Sequence, residues 1–407
     1  MGNIRKIKVA IVVSHPIQHF VHLYKALAKD QNIEMKVFFA SNIGAKAYFD
    51  KDMNTEIKWN IDLLTGYDHE FLPEAEFISK TGFWAINNLS IVSALKKYSP
   101  DVVQLHGYAE LTMLRALFWC RLKSIPVLLS TDSSLLFRRA AWKMLLKDIL
   151  LSKLFGMFYG VIATGDNNIA YFKKYGVKVD RIFRAPFTVD QVLLGNARDE
   201  RPALRAEYRA KYEIANDEIV LLFVGKLASW KRPQDLLEAL SLAQVELGTA
   251  VKLVAFFAGD GVMRKELECQ VLLQDSRAIF AGFINVDILP SIYAMSDVLV
   301  FPSEREPYGL SAREAICVGL PLIVSDQIGC IGPLDAARPA YNALVYPSMN
   351  VDLLAKAIIT LVSNSQKLIE MSQASLKVAY EMREESSVAG FLSSVRRAFG
   401  NKRIHGS

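Results

Sequence analysis

IVLLFVGKLASWKRPQDLLEAL (219–240) opens with an unbroken apolar run that stops at Gly225, crosses a short loop carrying Lys226 and Lys231, and continues as a helical stretch. A continuous Val/Ile/Leu/Phe run, without strict alternation, marks a strand buried on both faces, as in a parallel sheet covered by helices. The same unit recurs on both sides. KVAIVV (8–13), EMKVFFA (34–40), DVVQLH (101–106), IPVLLS (125–130) and YGVIAT (159–164) form one series. VKLVAFFAG (251–259), RAIFAG (277–282), DVLVFP (297–302) and LPLIVSD (320–326) extend the second. Two such series predict an α/β protein of two Rossmann-like, doubly wound parallel-sheet domains, whose ligands sit beyond the carboxyl ends of the strands.

The 407 residues exceed what one ordinary core accommodates, in keeping with two domains. The first domain is expected over 1–188 and the second over 189–375, joined near RAPFTVDQ (184–191); helices over 376–407 are expected to pack back on the first and end in the basic tail NKRIHGS. Hydrophobic residues make up 52% and charged residues 22%, a composition of globular chains. Cys120, Cys269, Cys317 and Cys330 form no CxxC pair and lie in apolar contexts, so reduced, buried thiols in a cytoplasmic protein are expected. The apolar run after the basic start of MGNIRKIKVAIVVSHPIQHF stops at Ser14 and His15 without a small-residue cleavage site, which reads as a first strand. No stretch approaches the ~20 apolar residues of a membrane span. Formal charge is +6, divided as +8 over residues 1–190 and −2 beyond, so the first half is expected to meet an anionic surface or substrate.

EREPYGLSAREAICVGLPLIVSD (304–326) carries Glu306 on a loop and Glu314 in a helical run closed by Gly319 and Pro321. Glycoside hydrolases need two carboxyls roughly 5–10 Å apart across one bond. Eight helical residues rise ~12 Å and turn the second side chain away, so the two suit separate contacts on one elongated ligand. Backbone N–H groups of Tyr308, Gly309, Leu310 and Ser311, backed by the positive end of a helix, form an anion site suited to a diphosphate. Lys226 and Lys231 point into the same crevice from their strand-to-helix loop. In FFAGDGVMRKELE (256–268), the Gly259–Asp260–Gly261 turn lets the backbone approach a ligand or a neighbouring loop closely.

These stretches, with AGFINVDILPSIYAMSDVLVFPS (281–303) between them, resemble the donor half of the family-four (group 1) retaining glycosyltransferases with the GT-B fold, strongly over residues 180–375. The family's Glu-x7-Glu motif matches Glu306 and Glu314, and its Gly-Arg/Lys-Leu-x3-Lys stretch matches Gly225, Lys226, Leu227 and Lys231. Its Gly-Asp-Gly loop matches Gly259 to Gly261, and its Asn-Gly-Leu-Leu-Val-Pro element is recognisable in NALVYP (342–347). The resemblance implies two domains facing a cleft, the first for the acceptor and the second for a nucleotide-sugar donor. Lys226 and Lys231 would hold the diphosphate, with Gly225 and Gly259 lining the site. Glu314 would accept hydrogen bonds from the ribose, Glu306 would touch the transferred sugar, and backbone at Gly282, Phe283 and Ile284 would hold the base. Fixed cations and dipoles on a departing diphosphate need no metal, so no metal and no cofactor are expected.

The first half matches less closely. SHPIQHFVHLYKALAK (14–29) lacks the Gly-Gly pair many members carry, His106 stands where the family often has a histidine, and Asp132 replaces another that assists catalysis. His15, His106 and Asp132 are therefore acceptor-side candidates, with His106 and Asp132 grouped beside Glu306, Lys226 and Lys231 as catalytic. The spacing of His15, His19 and His22 invites a metal site, but no HExxH-type partner accompanies it, and ordinary histidines are the bland alternative. The basic, apolar stretch 134–160, with Arg138, Arg139, Lys143, Lys147 and Lys153, reads either as a helix lying on an anionic membrane or as a core helix with a solvated face.

The expected activity is retaining, metal-independent transfer of a sugar from a nucleotide-diphosphate sugar to a glycan or lipid-linked acceptor in cell-envelope polysaccharide or glycolipid synthesis, in the cytoplasm or at the inner face of its membrane, without nucleic acid as partner. A nucleotide-sugar hydrolase or epimerase and a non-catalytic nucleotide-sugar-binding subunit are the alternatives.

Overall fold

The computed structural model describes residues 5–45, 48–50, 52–53, 55–57, 60–136, 141–274 and 276–405. Its strands are β1 (Ile7–Val13), β2 (Ile33–Phe39), β3 (Tyr48–Asp50), β4 (Thr55–Ile57), β5 (His69–Phe71), β6 (Val102–His106), β7 (Val127–Thr131), β8 (Gly160–Ala163) and β9 (Ile182–Arg184) in the first half. β10 (Glu218–Val224), β11 (Lys252–Ala258), β12 (Ala278–Gly282), β13 (Val298–Phe301), β14 (Leu322–Ser325) and β15 (Ala343–Tyr346) follow. One seven-stranded sheet runs in the order β5-β2-β1-β6-β7-β8-β9 and a six-stranded one in the order β12-β11-β10-β13-β14-β15. The pairings within both are parallel.

The fold is α/β with two doubly wound parallel sheets. In each sheet the first strand lies inside and the winding reverses beside it, at β1/β6 and at β10/β13. Chains leaving adjacent strands toward opposite faces open a crevice at their carboxyl ends, and so each sheet has one place prepared for a ligand. Each unit has its own core. Val12, Phe38, Leu105, Leu129 and Phe172 belong to the first; Leu221, Phe257, Val300, Ile323 and Ile358 belong to the second. Each fully buried side chain of this kind contributes ~1.5–3 kcal/mol, and this is why the strands read as unbroken apolar runs.

The chain divides into one unit of residues 1–48, 61–188 and 384–407 and another of 49–60 and 189–383. The units depart from the expected boundaries at two places. The helix Ser365–Glu381 packs on Leu310–Val318, so the second unit extends beyond 375. The segment 49–60, expected in the first domain, belongs to the second unit. The last helix, Glu384–His405, is part of the first unit. There Ser387 Oγ donates to the Pro186 carbonyl at 2.7 Å and Phe391, Val395 and Ala398 are buried. Gly390 permits the approach, because a Cβ there would lie 1.8 Å from the Arg184 carbonyl oxygen.

Between β9 and β10 the chain forms two helices, Gln191–Asp199 and Arg201–Lys211. Arg209 is buried and binds Asp297 Oδ2 at 2.7 Å and the carbonyls of Met295, Ala215 and Glu218. Three of the four cysteines are buried as expected. Cys269 is exposed, because it lies on the solvent side of the helix Arg264–Gln274. Among the described residues no helix is long and apolar enough to cross a membrane. Arg138 and Arg139 of the basic stretch lie outside the described residues, as do the side chains of Lys143 and Lys147.

Candidate active site

The β10/β13 switch point of the second unit gathers the residues singled out in its sequence. β10 ends at Val224, and Gly225 turns the chain while its amide donates to the Ala258 carbonyl at 3.1 Å. The loop closes as a short 3₁₀ turn, Ser229–Lys231, before the helix Pro233–Leu247. From β13 the chain returns through Glu304, whose amide donates to the Trp230 carbonyl at 2.9 Å, and ties the two loops together. Lys231 Nζ then bonds directly to Glu306 Oε2 and lies 5.2 Å from the Phe301 ring centroid. Both side chains are mostly buried, so their charges are poorly screened.

Glu306 is held from behind by a loop that sequence reasoning missed. Its amide donates to the Gln327 carbonyl at 3.2 Å and its carbonyl accepts from Gly329 N at 3.0 Å. Cys330 N donates to the Tyr308 carbonyl at 2.8 Å, and the Tyr308 hydroxyl bonds Asp335 Oδ1 at 3.1 Å, so the Tyr308 side chain is a buried prop. A Cβ at Gly329 would meet the Pro307 carbonyl oxygen at 1.7 Å. No motif marks Gln327–Cys330, since its role is carried by backbone.

Gly309 has φ 108°, a left-handed conformation that glycine adopts without cost, and a Cβ there would lie 2.9 Å from the Phe301 ring. It launches the helix Leu310–Val318. The first-turn amides of a helix have no partner within it, and its dipole is positive at that end, so Leu310 and Ser311 open a seat for an anion. Four residues along, Glu314 accepts a hydrogen bond from the Tyr293 hydroxyl at 2.7 Å. Burial pushes its carboxyl up to about 7, although the Tyr293 hydroxyl and the Arg313 charge both act to lower it. Arg313 is buried, bonded to Cys317 Sγ at 3.2 Å and to the Met382 carbonyl. Tyr293, like the 327–330 loop, carries no sequence signal of its own.

The Gly259–Gly261 turn serves a neighbouring loop. A Cβ at Gly259 would lie 1.8 Å from the Gly225 carbonyl oxygen, and one at Gly261 would lie 2.5 Å from that of Leu227. Leu227 N donates to the Asp260 carbonyl at 2.9 Å, so the two loops share a backbone seam. Gly259 also bridges Gly282, which leads into partly buried Phe283 and Ile284.

Lys226 differs from expectation. Its ammonium bonds Asp50 Oδ2 at 2.8 Å and Oδ1 at 3.0 Å, and Asp52 Oδ2 at 3.1 Å. Lys231 and Glu306 thus meet directly, while Lys226 faces a separate pair of carboxylates that the sequence reading did not single out.

In the first unit, His15 follows β1 and places Nδ1 2.9 Å from Ser14 Oγ; burial lowers its pKa. His106 ends β6, packs 4.2 Å from the Phe20 ring and has Nε2 3.1 Å from the Tyr24 hydroxyl and 3.3 Å from Gln104 Nε2. Burial, then the neighbouring His19, push its pKa down to about 3, so the ring is neutral. His19 packs against Phe20 and Phe187. Among the described residues no three His, Cys, Asp or Glu side chains are gathered as metal ligands. Asp132 is exposed just past β7.

Comparison with known proteins matches residues 205–378 to the family described as Glycosyl transferases group 1. An uncharacterized glycosyltransferase of Methanocaldococcus jannaschii is 35% identical over 163 residues, 39% of this chain and 40% of that one. A D-inositol 3-phosphate glycosyltransferase of Rhodococcus jostii is 28% identical over 249 residues, 59% of this chain and 54% of that one. The matches thus span about half the length of these relatives. Among solved structures, Anabaena HepE in complex with UDP and glucose superposes with a TM-score of 0.69 at 16% identity, covering 96% of this chain and 100% of HepE. The fold is GT-B.

Proposed function

We propose, for a chain whose residues 205–378 match the family described as Glycosyl transferases group 1, retaining and metal-independent transfer of a sugar from a nucleotide-diphosphate sugar to a glycan or lipid-linked acceptor in cell-envelope polysaccharide or glycolipid synthesis. The observation that carries this reading is the Lys231–Glu306 pair at the β10/β13 switch point, beside the positive end of the helix Leu310–Val318.

A cation and a helix terminus meet there in surroundings that screen them poorly, the arrangement that stabilises charge developing on a leaving diphosphate. In the proposed complex Lys231 turns from Glu306 to the diphosphate, and the released Glu306 carboxylate accepts hydroxyls of the transferred sugar. Glu314 accepts the ribose hydroxyls, and backbone at Gly282, Phe283 and Ile284 holds the base. The bond from the anomeric carbon to the phosphate oxygen breaks while a bond to the acceptor oxygen forms on the same face of the ring. The acceptor proton passes to the departing diphosphate, leaving a glycoside and a nucleoside diphosphate. His15, His106 and Asp132 of the first unit are the residues assigned to the acceptor; His106, neutral at physiological pH, acts there as a hydrogen-bonding group.

The UDP in the HepE complex makes uridine diphosphate the first nucleotide to test. An anionic surface at the inner face of the cytoplasmic membrane is the proposed partner of the stretch 134–160, on whose helix Ala141–Phe155 Ile149 and Leu150 are exposed. Sedimentation with vesicles containing anionic lipid at low salt tests this, and protein remaining in the supernatant counts against it. For the activity itself, Lys231→Ala is expected to abolish release of nucleoside diphosphate in the presence of acceptor; unchanged turnover would remove Lys231 from the diphosphate site.

A further inference from the structure

The segment 49–60 belongs with the second unit, although the chain on both sides of it builds the first. β3 and β4 pair there as a two-stranded sheet. Between them Asp50 Oδ1 accepts the amides of Asp52 and Met53, each at 3.0 Å, a local turn that fixes the direction of the carboxylate. That carboxylate and Asp52 both close on Lys226. At the far end of the segment, the Asn60 amide donates to Asn285 Oδ1 at 3.2 Å and its side-chain Nδ2 to Asp287 Oδ2 at 3.3 Å. The segment is thus tied to the second unit at two points, Lys226 and the turn directly after Ile284. Those points flank the residues assigned above to the diphosphate and to the base.

We propose that the turn of Asp50, Asp52 and Met53, anchored a second time through Asn60, is a strap over Lys226 whose Asp50 and Asp52 carboxylates stand in for the nucleotide diphosphate, so that donor binds only by displacing them. The inference rests on the reading of Lys226 as a diphosphate ligand. Two carboxylates converging on one ammonium present about the charge and reach of a diphosphate, and at these distances one lysine does not serve both. Asp50 is only 11% exposed, so its pairing is shielded, whereas Asp52 is half exposed and offers the edge from which exchange begins. Burial alone would lower the Lys226 pKa, but the bonds to Asp50 and Asp52 outweigh it, and the net shift is upward. The ammonium therefore stays charged and ready for an incoming anion. A strap of this kind makes apparent donor affinity depend on the fraction of molecules in which Lys226 is released.

The full chain, the Asp50→Asn/Asp52→Asn variant and Lys226→Ala are titrated calorimetrically with uridine, guanosine, adenosine, cytidine and thymidine diphosphates, after circular dichroism establishes that each is folded. The double variant is expected to bind the preferred nucleotide about tenfold more tightly than the natural chain, the factor for a strap closed in nine molecules of ten, and Lys226→Ala about tenfold more weakly. A double variant that binds equally or less tightly while Lys226→Ala still weakens binding would overturn the strap and leave the diphosphate reading standing. Lys226→Ala binding like the natural chain would overturn that reading and the strap with it. Should the natural chain bind none of the five, binding by the double variant would support the strap, and its failure would overturn both. Asn60→Ala frees the other anchor with both carboxylates kept; a smaller gain supports the strap, and a loss of affinity counts against it.

Discussion

In the proposed complex Glu314 gives up its proton as it accepts the ribose hydroxyls. Burial pushes its carboxyl up to about 7, while carboxylates in unfolded chains titrate near ~4.3. Between those values the folded protein keeps a proton that the unfolded chain has lost, so this residue's contribution to stability falls as pH rises through that window. Two hydroxyls donating to it favour the ionised form, so nucleotide binding is expected to release a proton and to tighten from pH 5.5 to 7.5. Calorimetry on the natural chain and Glu314→Gln separates this from the ionisation of the diphosphate itself, which is common to both. The natural chain should gain severalfold more affinity across the range than the variant, and equal slopes would remove Glu314 from the nucleotide. At Lys231, loss of the ammonium also leaves Glu306 without its partner, so Lys231→Ala is expected to lower donor affinity by at least about tenfold, roughly the 1.5–3 kcal/mol of a charge-assisted hydrogen bond.

At the scale of elements, loops sit where strands and helices aim them, and this sets what the sequence discloses. Strands covered on both faces must be apolar throughout, which made β1, β10 and β11 legible at once. The loops at the β10/β13 reversal could be placed because their charged and glycine residues interrupt such runs. β5 and β9 at the sheet edges span three residues each, too few for a periodic signal. The pairing of Lys226 with Asp50 joins residues 176 apart, and the support of Glu306 by Gln327–Cys330 uses backbone, so neither left a pattern to read. The helix Arg201–Lys211 illustrates the same limit: nothing in its charged sequence sets Arg209 apart from its neighbours, yet Arg209 is buried on Asp297 and four backbone carbonyls. Arg209→Ala leaves Asp297 with less compensation in a buried setting and is expected to cost about 3–5 kcal/mol. Urea unfolding measures this, and a loss below about 1 kcal/mol would contradict the account.

For the whole molecule, the chain passes from the first unit to the second after Thr188 and returns after Arg383, so the last helix completes a fold begun by the first strand. Gly390 is the contact that fixes this return. Gly390→Ala forces its Cβ against the Arg184 carbonyl and is expected to lower the first unit's melting temperature by several degrees while nucleotide binding by the second persists. Hydrogen exchange over 102–184 and 219–325 distinguishes the units, and equal loss of protection in both would contradict it. The central claim is that the second unit binds a nucleoside diphosphate through Lys231 at the head of the helix Leu310–Val318. Calorimetric titration of the natural chain and Lys231→Ala with the five nucleoside diphosphates, without added metal, tests it most directly. The account expects the natural chain to bind one of them with Lys231→Ala weaker by at least about tenfold; equal binding by both proteins, or binding of none by the natural chain and by the Asp50→Asn/Asp52→Asn variant alike, would contradict it.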